Sequence, residues 1–205
     1  MSRLSLLSVP VSPSEDESDG RRRRSQDSRA RIVAALLELV QGGELSPSAE
    51  QVAARARVGL RSVFRHFKDM DSLYREMSLI VEQELATIID RPLASQAPVD
   101  RILELVARRA EAFERIAPFK RAGDLIRHRS PFLEAAHVRM NVIARETLRR
   151  ELPAAVVADR PLLEAIDLLL SWQTWQRLRR DQGLTSKGAR EVLETAISRL
   201  IAGPA

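Results

Sequence analysis

At 205 residues with no cysteine, the chain has room for one or two domains and excludes disulfides, thiolate catalysis and Cys-ligated zinc together. Apolar residues make up 44% and aromatic residues only 4%, which suits helices better than sheets, and no apolar run is long enough to span a membrane. The net charge is +5, and residues 21–71 alone carry an equal excess, eleven Lys/Arg against six Asp/Glu, the electrostatic footprint of a phosphate-binding surface.

Residues 1–24 read as a disordered N-terminal arm, because Ser, Pro and acidic residues dominate up to Gly20 and bury too little apolar area to offset ordering entropy. The opening apolar patch is cut by serines and prolines, unlike a secretory signal, so a cytoplasmic location is expected. Four arginines follow at 21–24. A charge run is usually a solvated face. Arg22, Arg23 and Arg24 stand just ahead of the first helix, however, where a flexible basic arm could reach phosphates or the minor groove.

The first helix is predicted over 25–41, with Ile32, Leu36, Leu39 and Val40 as its stripe and Gly42-Gly43 as its stop. Ser48, with Gln51 three residues on, is a capping-box start for a second helix whose small face is Val52, Ala53 and Ala56. Arg57-Val58-Gly59 breaks the pattern, with Gly59 capping the next helix and Val58 filling the angle. The third helix, 60–66, buries Leu60, Val63 and Phe67 and turns Arg61, Ser62, Phe64, Arg65 and His66 outward. Such a rod fits the DNA major groove. Arg61 and Arg65 are the leading base readers, since arginine grips guanine with two hydrogen bonds at about 1–3 kcal/mol of discrimination. Ser62 suits an adjacent base or phosphate, Phe64, His66 and Lys68 suit backbone positioning, and Ser48 presents a helix N-terminus to a phosphate.

A fourth helix starts near Met70, capped by Asp69 or Asp71, and ends before Arg91-Pro92. Its stripe is Leu73, Met77, Ile80, Val81, Leu85 and Ile88. After a linker at 92–98, a fifth runs from Val99 until Pro118 stops it, and a short sixth covers 119–128. Ser130-Pro131 opens a seventh, reaching about Leu152 with Leu133, Ala136, His137, Met140, Ile143 or Ala144, and Leu148 inward. An eighth spans 161–182 with Gly183 as its stop, and Thr185 caps a ninth. With no strand signal and no repeat, the fold class is all-α: a helix-turn-helix unit at 25–70, then a helical bundle at 71–205. The chain has no Gly-rich phosphate loop, metal-ligand cluster or nucleophile elbow, and its three histidines fall on different helices. No catalytic residue, metal or cofactor is expected, and the chain does not read as an enzyme.

The segments ARIVAALLELV, SAEQVAARARVGLRSVFRHF and KDMDSLYREM, in this order, resemble the tetracycline-repressor-like (TetR) family of transcription regulators over residues 29–77. Two positions depart from the family pattern. Arg57 stands where Gly is usual, costing about a kilocalorie if positive φ is needed there, and Gly59 stands where a Ser often caps. The resemblance implies a ligand-responsive repressor binding a palindromic double-stranded DNA operator as a homodimer through its last two helices. It also implies a C-terminal pocket for a small apolar or amphipathic effector. Pocket candidates are Phe113, Ile116, Phe132, His137, Met140, Asn141, Trp172, Trp175 and Gln176, although Trp172 and Trp175, three apart, equally suit core or dimer interface. A helical protein-interaction adaptor, or a DNA-binding protein without a ligand, is the alternative reading.

Overall fold

The computed structural model describes residues 15–202, with side chains from residue 22 onward, and every regular element among them is helical. The α-helices are α1 (Glu15–Gln41), α2 (Ala49–Ala56), α3 (Leu60–His66), α4 (Met70–Ile89) and α5 (Pro98–Ile126), then α6 (Pro131–Glu151), α7 (Ala154–Ala158), α8 (Arg160–Leu169), α9 (Trp172–Gln176) and α10 (Ser186–Ala202). No helix among the described residues is long and apolar enough to cross a membrane.

Two cores organise them. In the first, Ile32, Leu36 and Val40 of α1 meet Val52, Ala53 and Ala56 of α2, whose small side chains let the helices approach closely. Val63 and Phe67 close it below α3, and Leu73, Tyr74 and Met77 of α4 complete it. The second gathers Ile102, Leu105, Val106 and Phe113 of α5 with Leu148, Leu163, Ile166, Trp175, Leu193 and Ile197. Helix α5 serves both, since its last turns pack Phe119, Ala122 and Ile126 on the first core.

Several boundaries differ from the expected ones. Helix α1 begins at Glu15 rather than residue 25, so the disordered arm is corrected over 15–24, while residues 1–14 lie outside the described residues. The sequence there runs from acidic to basic, the order that a helix dipole favours. The expected fifth and sixth helices are one 29-residue helix with Pro118 inside. A proline within a helix costs about 3 kcal/mol. Burial on both sides offsets it: Ile116 and Ala117 pack on one core and Phe119 on the other.

The expected eighth helix is instead broken at Leu170-Ser171. Ser171 Oγ accepts from the Thr174 amide at 3.2 Å, and the Thr174 hydroxyl donates to the Leu168 carbonyl at 2.6 Å, so side chains take over bonds that a continuous helix would supply. After α9 the chain widens into a π turn over Arg177–Asp181. Gly183, at φ 68°, then ends the segment. Helix α7 was not expected at all.

Candidate nucleic-acid interface

The turn between α2 and α3 depends on Arg57 adopting the left-handed region, φ 54° and ψ 48°. Its amide donates to the Ala54 carbonyl at 3.1 Å and the Val58 amide to the Ala53 carbonyl at 3.0 Å, a Schellman closure. Val58 folds back onto the first core. Gly59 then starts α3 with no side-chain cap bond. The departures at Arg57 and Gly59 thus have physical consequences: a strained arginine and an uncapped helix.

Capping fixes the neighbouring helices. Ser48 Oγ accepts from the Gln51 amide at 3.3 Å while Gln51 Oε1 accepts from the Ser48 amide at 2.7 Å. Asp69 Oδ1 accepts from the Ser72 amide at 2.8 Å, which settles the choice between Asp69 and Asp71. Arg29 of α1 pairs with Glu76 of α4 through both of its terminal nitrogens, at 3.1 and 2.6 Å, and lies 4.9 Å above the Phe67 ring. One guanidinium therefore holds α1, α4 and the end of α3 in register.

On this support α3 presents Arg61, Phe64 and Arg65 to solvent, with Ser62 partly exposed and Lys68 exposed just beyond. Phe64 is 50% exposed. Leu60 is corrected: at 38% exposed it stands outside the core, to which this segment contributes Val63 and Phe67. His66 packs at the helix end, with Nε2 buried and unbonded. Burial foremost, then the charges of Arg65 and Arg29, holds its imidazole below the ordinary value. Ser48 is exposed at the start of α2. Arg22, Arg23 and Arg24 are exposed on the extension of α1, a helical rather than flexible setting.

Behind this surface a cavity of about 560 Å³ opens among α4, α5, α6 and the α8–α9 corner. Of the nine pocket candidates, Phe113, Ile116, His137, Met140, Asn141 and Trp172 line it. Phe132, Trp175 and Gln176 do not. Phe132 is covered by Arg75 and Arg139, whose guanidinium carbons lie 5.3 and 5.8 Å from its ring centre. Trp175, 1% exposed, is core, and its indole N–H donates to Glu114 at 2.9 Å. Phe113 bridges the tryptophans, its ring centre 5.8 Å from Trp172 and 6.1 Å from Trp175. Asn141 and His137 pair at 3.2 Å, and burial, then Lys120 and Arg127, keeps the His137 imidazole below its ordinary value.

Sequence reasoning missed two contributors to the cavity. Helix α4 lends it Met77, Val81 and Leu85, and α5 lends it Arg108 and Arg109. The second had a signal: Arg109 lies three residues after Val106 and four before Phe113, on the buried stripe itself.

Among solved structures the fold is similar to a transcriptional regulator from Rhodococcus sp. Rha1, at 19% identity over 85% of this chain and 96% of that one, with a TM-score of 0.67. The multidrug binding protein EbrR complexed with imidazole matches at 22% identity over 86% and 96%, with a TM-score of 0.57. A TetR transcriptional regulator from Rhodococcus sp. RHA1 matches at 18% identity over 89% and 99%, with a TM-score of 0.51. No family model and no curated relative matches the sequence. The chain has the all-α fold of these regulators.

Proposed function

We propose that the chain is a TetR-type transcriptional regulator, a homodimer whose α3 helices enter successive major grooves of a palindromic operator and whose cavity takes a small effector. The observation that carries the reading is Phe64, half exposed between Arg61 and Arg65 on a helix whose opposite face is packed. An aromatic and two arginines aimed outward from a rigid support form a contact surface, and they add nothing to the core.

Coupling would run through α4. Met77 is buried in the first core and also lines the cavity, with Val81 one turn further on. An occupant that displaces them would tilt α4, and the Arg29–Glu76 pair would carry α1 and α3 with it. Half-sites lie about 34–36 Å apart, so a small change of spacing lowers affinity; an effector acts to the extent that it binds one arrangement better. Support for the dimer comes from α10, where Val192 and Leu200 are 45% and 39% exposed on one face, and from Leu168 on α8 at 67%.

The test is a gel shift on DNA flanking the coding sequence at two salt concentrations, with competitor DNA. Specific retention should weaken at the higher salt and disappear in the Arg61→Ala, Phe64→Ala double variant with little change in Tm. If the double variant still selects the same site, the assignment of α3 is wrong. No shift at all would favour a protein-only adaptor.

A further inference from the structure

We infer that the cavity selects amphipathic anions, with Arg109 gripping a carboxylate head group and the apolar wall taking its tail; this rests on the effector-pocket reading above. Arg109, itself partly buried, lies on the inward stripe of α5 and lines the cavity. Nη1 donates to the Leu170 carbonyl at 3.2 Å and Nη2 to the Ala144 carbonyl at 2.5 Å. These bonds aim the guanidinium fork and neutralise no charge. Five N–H groups are available on an arginine, so the remainder can serve a ligand.

The acids around the cavity are already matched. Asp124 is held by Lys120 and faces Arg127 at 3.6 Å. Glu164 and Asp167 share Arg145, at 2.5 and 2.8 Å. Glu82 accepts from Ser78 at 3.1 Å and faces Arg139 at 3.7 Å. Arg108 has Glu104 at 3.7 Å. Arg109 alone among the cavity's arginines has no carboxylate of the described residues within ion-pair distance. Its burial disfavours the charged form, and Asp167, engaged by Arg145, opposes this only in part.

A guanidinium stays charged, so a partly buried one with no carboxylate in ion-pair contact is costly until an anion arrives. A carboxylate meets it with planar, two-point geometry, whereas a cationic ligand would add like-charge repulsion. The apolar lining, Phe113, Ile116, Met140 and Trp172, offers an alkyl or aryl tail its surface. The volume falls within the range of roughly 300–1,000 Å³ usual for small-molecule sites.

The test titrates the full chain with decanoate, decanol and decyltrimethylammonium, read by calorimetry and by tryptophan emission, since Trp172 lines the cavity. Decanoate should bind roughly tenfold tighter than decanol or better, and the ammonium weakest. Arg109→Gln should bring decanoate to the level of decanol and leave decanol unchanged, while Arg109→Lys keeps part of the preference. Should Arg109→Gln fail to fold, the ranking of the three probes on the unaltered chain decides by itself. Equal binding of decanoate and decanol, or preference for the ammonium, overturns the anion inference and leaves the effector pocket standing. If none of the three binds, the pocket reading falls and this inference with it.

Discussion

Replacing Arg57 by glycine should stabilise the protein. Arg57 is the one non-glycine residue with positive φ among those described. It cannot relax, because the amides of Arg57 and Val58 both close the turn. Holding an L-residue in the left-handed region costs about 1–2 kcal/mol. Glycine removes that strain but gives up about 0.5–1 kcal/mol through its freer unfolded chain. The Arg57 side chain is exposed and makes no hydrogen bond or ion pair with the described residues, so nothing else is lost. A net gain of about 0.5–1 kcal/mol corresponds to a Tm rise of roughly 1–4 °C for a chain of this size. Thermal unfolding by circular dichroism, at fixed protein concentration because a dimer's Tm depends on it, measures the change. Arg57→Ala keeps the Cβ and should gain nothing, and Arg57→Asn should fall between. A glycine variant melting no higher than the alanine variant would refute the strain argument.

The remaining expectations concern the cap of α4, one histidine and the proposed dimer face. Asp69→Ala removes the bond to the Ser72 amide and should cost about 1 kcal/mol in denaturant unfolding; no shift in the midpoint would show the cap to be idle. His66 has a depressed pKa, so the folded state binds its proton less readily than the unfolded chain. The stability this supports is full above the ordinary imidazole value of about 6.5 and is lost as pH falls below it. His66→Asn should therefore flatten part of the acid-side fall in Tm, with His137, depressed likewise, accounting for another part. An unchanged slope would remove His66 from that account. Val192→Glu with Leu200→Glu should yield a monomer by sedimentation velocity, whereas Val142→Glu on the exposed face of α6 should not. The reverse result would move the interface to α6.

Local rules in the sequence determined the capped starts of α2 and α4, the stripe of α1, the break at Arg57 and the outward set Arg61, Phe64 and Arg65. Each depends on residues within a turn or two, where spacing alone decides which face is buried. Tertiary structure decided what depends on distant partners. Pro118 stays inside α5 because two cores grip the helix on either side of it. Leu60 is left in water because Val63 and Phe67 already fill the space below α3. Trp172 lines the cavity while Trp175, three residues on, is sealed into the core, because the corner at Ser171 turns α9 so that only one of them faces the opening. Arg109 carried a sequence signal, but only the packing of α6 and α8 against α5 reveals which carbonyls orient it and that no carboxylate among the described residues comes within ion-pair distance.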